Sequence, residues 1–142
     1  MERGLTVKEV EFIAHDLAKK TMAWDEPIPN FSTRFPNILE SCLNTPFQRF
    51  NKRSLYKGFV SKAAMLFYLM IKNHPFQNGN KRVAITTLLL FLYKNHKWLD
   101  TSNETLYRFA VLVAGSPPEL RKEITELIEG FIEKYIAEVN NK

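Results

Sequence analysis

The chain has 142 residues, a length that suits one domain and is short for two. Its composition, 45% hydrophobic and 25% charged, is typical of a globular protein and excludes a disordered chain. The formal net charge of +5 excludes little, because a nucleic acid, a nucleotide phosphate tail, an acidic protein partner and a solvated surface all suit a basic protein.

We therefore expect a single domain over residues 1–142. No secretory leader is evident, and the longest apolar runs, residues 63–71 and 83–93, are too short to span a bilayer, so we expect a cytoplasmic protein. The single cysteine, Cys42, cannot form an internal disulfide, and no paired cysteines or HExxH spacing offers a zinc site. We expect Cys42 to fill core space.

The first predicted helix runs from Val7 to about Lys20. Thr6 and Glu9 form the capping-box pattern that starts many helices. The apolar residues that follow recur at helical spacing and predict one buried stripe. This stripe comprises Val10, Ile13, Ala14, Leu17 and Ala18, whereas His15 and Asp16 lie off it.

A connector and a basic loop flank a short second helix. Prolines break the chain over residues 24–36, and Pro36 then starts a helix that is expected to end at about Leu43. Residues 44–58 have no clean period, which is typical of a surface loop or hairpin. The stretch from 49 to 62 has no acidic residue and five basic ones, Arg49, Lys52, Arg53, Lys57 and Lys62.

Two strongly apolar helices are predicted at the centre of the chain. Residues 59–73 and 83–93 are apolar around most of the helix circumference, which is typical of buried helices, so we expect the two to pack together. The second of these helices is expected to begin at about Asn80 or Lys81, after a short polar run that separates the two.

Two more helices are predicted after a turn over residues 96–101. Thr101 and Glu104 form another capping-box pattern, and the helix that follows should reach about Ala114. Ser116 and the prolines after it open the last helix. Its expected apolar stripe comprises Leu120, Ile124, Leu127, Ile128, Phe131, Ile132, Tyr135, Ile136 and Val139. Five or six helices with few strand signals predict an all-α domain.

The polar run between the central helices has the composition of a phosphate-binding site. A helix that begins near Asn80 leaves its first N–H groups unpaired and carries partial positive charge at that end, which favours an anion. Gly79 permits a positive φ or the close approach of a ligand, while Lys81 and Arg82 add full positive charges.

His74 lies six residues before Asn80 and is the candidate catalytic group. An imidazole beside bound phosphates can accept the proton of a hydroxyl that attacks phosphorus. Phe76 is expected to point the other way and to anchor the loop in the core. A helix cap or an ordinary turn is the alternative interpretation of these residues.

The motif HPFQNGNKR, residues 74–82, resembles the signature of the Fic/Doc family. That signature is HxFx(D/E)GNGR in the Fic branch and HPFxD(A/G)NKR in the Doc, or death-on-curing, branch. Lys81 stands where Fic proteins have a second glycine and is similar to the Doc branch. The flanking similarity covers about residues 31–115.

The resemblance implies an all-α Fic-type bundle with a loop or short flap before the motif, and transfer of part of ATP to a protein hydroxyl with the help of Mg²⁺. The implied roles are His74 as catalytic base, Phe76 as hydrophobic anchor, Gly79, Asn80, Lys81 and Arg82 as nucleotide-binding residues, and Asn78 as a weak metal ligand. Doc-type toxins are thought to transfer the γ-phosphate, with a threonine of elongation factor Tu as the target. Fic proteins typically transfer AMP, and both reactions stay open.

Two positions depart from the family pattern. Asn78 replaces an acid that binds Mg²⁺, and a neutral amide oxygen is a weaker ligand for this hard cation. Ile85 replaces a later arginine of the Fic pattern that Doc-like sequences also lack, which argues against AMP transfer. A catalytically weakened binding module is therefore a third hypothesis.

Two further segments bear on partners. The basic loop occupies the place of the family's target-docking flap, and its candidate contacts are Arg49, Phe50, Lys52, Arg53 and Tyr56. Thr125 and Glu129 match the self-inhibitory pattern (S/T)xxxE(G/N) of some Fic proteins, but the helical wheel places Glu129 opposite the apolar stripe, facing solvent. It would then reach only a neighbouring subunit's site in a homo-oligomer. By family analogy we expect a separate antitoxin, and neither a membrane nor a nucleic acid as partner.

Overall fold

Six helices carry the fold over residues 3–22 and 26–139, the part of the chain that the computed structural model describes. The helices are α1 (Val7–Glu9, Val10–His15 and Asp16–Thr21), α2 (Pro36–Asn44), α3 (Phe59–Lys72), α4 (Asn80–Lys94), α5 (Asn103–Ala114) and α6 (Arg121–Tyr135). Two short antiparallel pairs join β1 (Arg49–Phe50) to β2 (Arg53–Ser54) and β3 (Lys97–Leu99) to β4 (Ile136–Glu138). The predicted all-α fold is confirmed, and no helix in these ranges is long and apolar enough to cross a membrane.

The two central helices, α3 and α4, pack against each other as predicted. Every residue of α3 from Lys62 to Ile71 is buried, and so is every residue of α4 from Arg82 to Leu89. A helix that is apolar nearly all round is stabilised most when neighbouring elements bury every side of it. Here α5 and α6 pack against the two central helices. Because it lies inside α3, Lys62 is not part of the basic surface stretch, which corrects that expectation.

Helix α1 starts at the predicted capping box between Thr6 and Glu9, which is confirmed. Its middle segment, Val10–His15, is π-helical. The wider π turn rotates the side chains that follow, so His15 is 3% exposed while Ile13 and Leu17 are 47% and 39% exposed. The predicted regular stripe is therefore wrong at these three positions.

The chain between α1 and α4 contains the predicted loop. Trp24 and Asp25 of the connector lie outside the described residues, and the rest of it includes a 3₁₀ turn at Phe31–Thr33. Helix α2 begins at Pro36 as predicted. Residues 44–58 form a 3₁₀ turn and the β1–β2 hairpin, which confirms the expected loop or hairpin before the motif.

The two C-terminal helices differ from the prediction at their ends. Helix α5 is capped by Ser102, whose hydroxyl oxygen accepts the N–H of Thr105 at 3.1 Å, so the proposed capping box of Thr101 and Glu104 is wrong. Helix α6 ends at Tyr135 rather than near Val139, and the next three residues form β4 against β3. Strands of three residues are too short to show alternation in a sequence.

Candidate active site

The loop that joins α3 to α4 carries the motif, and Gly79 ends it. Gly79 has a left-handed φ of 79° and lies at the N-cap of α4, as its sequence position suggested. A Cβ at this position would lie 2.7 Å from Cγ1 of Ile28, so the site excludes larger residues by space as well as by conformation. Asn78 supports the turn, since its Oδ1 accepts the Gly79 N–H at 2.8 Å.

Asn80, the first residue of α4, ties the loop back onto the helix. Its Oδ1 accepts the N–H of Phe76 at 2.9 Å, and its Nδ2 donates to the carbonyl of Phe76 at 2.9 Å. The same Nδ2 lies 3.3 Å from Nδ1 of His74. One amide side chain therefore fixes the loop and orients the candidate base.

His74 is exposed and has a left-handed φ of 51°. Such a φ is uncommon in a residue other than glycine, and strained backbone of this kind occurs often at functional sites. Because an amide N–H₂ group can only donate, the contact with Asn80 makes Nδ1 the acceptor and leaves the proton of the neutral ring on Nε2.

Phe76 lies on the opposite side of the loop, 3% exposed, and points into the core as expected. Its ring centroid is 5.4 Å from that of His15 and 5.9 Å from that of Phe31. His15 Nε2 lies 3.1 Å from the carbonyl of Pro29, so the neutral imidazole can donate to it. Burial, together with nearby Lys19, lowers the pKa of His15 below its ordinary value, which favours this neutral form.

A cavity of about 220 Å³ opens beside the loop. It is lined by Ile71, His74, Gln77, Asn78, Gly79, Asn80, Lys81 and Ala114. Lys72, just outside this set, donates from Nζ to the carbonyls of Ala114 at 3.2 Å and Ser116 at 2.6 Å and so holds the end of α5 against the cavity. No side chain in the described ranges caps α4, whose first N–H groups thus remain available to an anion.

Arg82 does not share this cavity. Its guanidinium is buried, at 2% exposure for the residue, and donates to the carbonyl of Met22 at 3.1 Å and to that of Glu26 at 2.7 Å. The structure thus brings together five of the predicted site residues, His74, Asn78, Gly79, Asn80 and Lys81, but turns Arg82 toward the connector. A phosphate contact by Arg82 stays a prediction that requires these two hydrogen bonds to break.

Residues 26–29, which we name the cover segment, lie against the motif and were missed from the sequence. Ile28 packs on Gly79, and Nδ2 of Asn78 donates to a carboxylate oxygen of Glu26 at 3.3 Å. The two prolines inside this stretch, Pro27 and Pro29, marked it only as a connector. Asn78 lies 52 residues after Glu26 in the sequence. No spacing rule links two positions that are so far apart.

Oxygen donors for a hard cation are few at the site. Asn78 offers its amide oxygen, which already accepts the Gly79 N–H, while its amide nitrogen donates to the carboxylate of Glu26. Within residues 3–22 and 26–139 there is no group of three or more histidine, cysteine or acidic side chains placed to hold a metal. The Asn78 oxygen has a second lone pair and so fits Mg²⁺ as a single weak ligand, because this cation usually keeps several waters and takes its remaining ligands from substrate phosphates.

Glu129 lies on α6 and is not among the residues that line the cavity. It is partly buried rather than fully solvated, which corrects the expectation from the helical wheel. Burial, together with the neighbouring Glu126 and Glu133, raises the pKa of its carboxyl. These contacts give no support to an inhibitory contact within the same chain.

Comparison with known proteins identifies a family for this chain. The model of the Fic/DOC family matches residues 4–92 of the chain. The matched range contains the whole motif, the cover segment and most of α4. No curated protein and no solved structure matches the chain.

Proposed function

Because the chain belongs to the Fic/DOC family, whose members are generally nucleotide-dependent transferases that modify proteins, we propose that it is a Doc-like protein kinase. It transfers the γ-phosphate of ATP to a serine or threonine hydroxyl of a target protein. The observation that carries this proposal is that Lys81 lines the same cavity as His74, at the uncapped start of α4.

The size of the cavity supports a phosphate as its occupant. Its volume of about 220 Å³ is below the roughly 300–1,000 Å³ of pockets that enclose whole small molecules. It can therefore accept the terminal phosphates of a nucleotide while the remainder of ATP lies outside. A terminal phosphate next to Lys81 and close to His74 is the arrangement that γ-transfer needs.

In this mechanism His74 removes the proton of the target hydroxyl. The hydroxyl oxygen then bonds to the γ-phosphorus, the bond from that phosphorus to the β–γ bridging oxygen breaks, and ADP leaves. The contact with Asn80 sets the ring proton on Nε2 and leaves Nδ1 as the basic nitrogen of His74. Nδ1 accepts the proton of the incoming hydroxyl after that hydroxyl has displaced the Asn80 amide.

Charge on the transferring group is stabilised by the Lys81 ammonium and by the first N–H groups of α4. Asn78 would hold Mg²⁺ through its amide oxygen, and the cation, when bound, neutralises phosphate charge. Arg82 does not line the cavity, and it supports the site by holding the backbone carbonyl of Glu26 in place.

The basic hairpin suits a protein target. Phe50 is 67% exposed, and Arg49, Lys52 and Arg53 are exposed around it. We propose that this surface docks the segment that carries the accepting hydroxyl, in the cytoplasm, and that a cognate antitoxin restrains the reaction. Elongation factor Tu is the first target to test.

The experiment uses ATP that is labelled at either the α- or the γ-phosphorus. Incubation with elongation factor Tu and with a cell lysate should place the γ label, and not the α label, on protein. His74→Ala should abolish transfer. His96→Ala is the matched control, because His96 is also exposed and has a left-handed φ of 65°, yet it precedes β3 away from the cavity.

Other outcomes decide between the alternatives. Transfer of the α label would reject the kinase and establish an adenylyltransferase on the same scaffold. If the wild-type protein transfers neither label to any protein, both enzymatic hypotheses fail and a binding module remains.

A further inference from the structure

A second cavity, of about 350 Å³, adjoins the motif and shares none of its described lining residues with the cavity of the candidate active site. It is lined by Asn37, Ile38, Ser41 and Asn73. We name it the amide pocket. Because Asn73 immediately precedes His74, which lines the other cavity, the two cavities meet at consecutive residues. A molecule in the amide pocket therefore lies next to the candidate base.

Helix α2 forms one wall of the amide pocket and is fixed at two points. The N–H of Phe35, at the N-cap of this helix, donates to the carbonyl of Pro75 in the motif loop at 2.9 Å. Further along, the thiol of Cys42 donates to the carbonyl of Leu69 in α3 at 3.4 Å. The wall is thus held in place before any ligand arrives, which reduces the entropy lost on binding.

The polar groups of the amide pocket are accessible to a ligand. Asn37, Ser41 and Asn73 are all exposed. An amide side chain both donates and accepts hydrogen bonds, and so does a hydroxyl. The backbone of an extended peptide offers alternating N–H and C=O groups, which need both kinds of partner. The pocket therefore has the hydrogen-bonding groups that a peptide backbone requires.

The absence of charge distinguishes the amide pocket from the other cavity. None of its described lining residues is charged or aromatic, whereas Lys81 adds positive charge beside His74. Helix α2 has no basic residue, and its Glu40 is exposed and acidic, so a phosphate is disfavoured there. A nucleobase would lack an aromatic ring on which to stack. These properties favour a neutral polar segment as the ligand.

The amide pocket is continuous with the basic hairpin along one face of α2. Asn37, Ser41 and Asn44 are exposed and recur at helical spacing, which places them on the same face. From Asn37 to Asn44 the helix rises about 10 Å, the length of about three extended residues. The 3₁₀ turn that follows leads into β1 of the hairpin. A peptide on this face can therefore run from the hairpin toward His74.

We propose that the amide pocket binds the backbone of the target protein, in an extended conformation, directly beside the accepting hydroxyl. The inference rests on the proposed function and adds the substrate-recognition site of the same reaction. It also defines the target segment. A serine or threonine lies at His74, neutral residues follow along α2, and acidic side chains reach the basic hairpin.

An array of synthetic peptides tests this, each with one threonine and one glutamate at varied separation, incubated with γ-labelled ATP. Labelling should be strongest when about three to six residues separate the two. Ser41→Trp fills the pocket from an exposed position and should raise the KM for the best peptide about 10-fold or more, because backbone hydrogen bonds are lost. The affinity for a non-hydrolysable ATP analogue, measured by calorimetry, should stay that of the wild-type protein.

Glu40→Trp is the matched control. Glu40 is exposed on the same helix, lies about 100° around it from Ser41, and does not line the pocket. It should keep the wild-type KM. Two smaller changes separate hydrogen bonding from bulk, since Ser41→Ala should raise the KM and Ser41→Thr, which retains the hydroxyl, should not. Far-UV circular dichroism of each variant checks its fold.

The possible failures are distinguishable. If the two tryptophan variants have the same KM as each other, the pocket does not bind the target, and the proposed function stands. If Ser41→Trp weakens binding of the ATP analogue instead, the pocket holds the nucleoside and this inference is wrong. Transfer to elongation factor Tu or lysate proteins, but to no peptide, would reject recognition of an extended segment. If the wild-type protein binds no analogue and labels nothing, the proposed function and this inference fail together.

Discussion

Gly79 is subject to two separate constraints, a left-handed φ and a lack of space for a side chain. We predict that Gly79→Ala lowers the free energy of unfolding by about 2 to 4 kcal/mol, because alanine adds conformational strain and a clash with Ile28. Gly130→Ala is the control, since Gly130 lies inside α6 with nothing within 4 Å of an added Cβ, and it should be neutral or stabilise the protein by up to about 1 kcal/mol. Equal losses in urea unfolding would contradict the proposed clash.

His15 should make stability depend on pH. Burial lowers its pKa in the folded protein below the ordinary value of 6.5, so as pH falls below 6.5 the unfolded chain binds a proton that the folded chain does not. The stabilisation that His15 provides is complete above pH 6.5. It decreases as the pH falls from 6.5 to the pKa of His15 in the folded protein, and it does not change further below that pKa. Urea unfolding between about pH 8 and pH 5 should show a shallower loss of stability for His15→Gln than for the wild-type protein. Parallel pH profiles of the two proteins would count against a depressed pKa.

At the scale of single residues, the sequence predicted which chemical groups meet but not every direction in which they point. The motif placed His74 and Lys81 together because one lies in the short loop before α4 and the other in the first turn of that helix. Arg82 follows one residue later, yet α4 turns it to the opposite side, where the connector supplies two carbonyl acceptors. That partner lies in a segment without periodicity, so its position could not be predicted.

At the scale of elements, a side chain of α4 forms a hydrogen bond with the π-helical segment of α1. The hydroxyl of Thr86 donates to the carbonyl of Ala14 at 2.7 Å, whereas the neighbouring hydroxyl of Thr87 is buried and has no hydrogen-bond partner within the described structure. We predict that Thr86→Val costs about 1 to 3 kcal/mol, because the Ala14 carbonyl loses its donor, and that Thr87→Val is neutral or stabilising. Chemical denaturation of both variants measures the difference, and a larger loss for Thr87→Val would contradict the hydrogen-bond assignment.

The longer helices were predictable because their apolar residues extend over three or more turns, whereas the nine-residue α2 was predicted from Pro36 at its start. The π turn was not, since it changes the period inside one helix and depends on the neighbour that accepts the rotated side chains. The pairing of β3 with β4 was also missed. It joins Trp98 to Ala137, and two strands of three residues gain their stability from that distant partner rather than from a local pattern.

At the scale of the whole molecule, the buried hydrophobic residues of all six helices belong to one core cluster. We predict that Ile132→Ala, a change on α6 far along the chain from the motif, lowers the stability of the entire protein by about 2 to 5 kcal/mol in one cooperative transition. Leu127→Ala on the same helix is the control, because Leu127 is 48% exposed and should cost much less. Fluorescence and circular dichroism should give coincident unfolding curves. Two separate transitions would reject the prediction that residues 1–142 form a single domain.

The left-handed backbone at His74 guides the choice of an inert protein for isolating complexes. Alanine removes the imidazole but is poorly suited to a φ of 51°, so that variant can also relax the turn that presents the nucleotide. Asparagine tolerates this conformation far better. His74→Asn is therefore the preferable bait, because it should stall the reaction while it retains the shape that a bound substrate recognises.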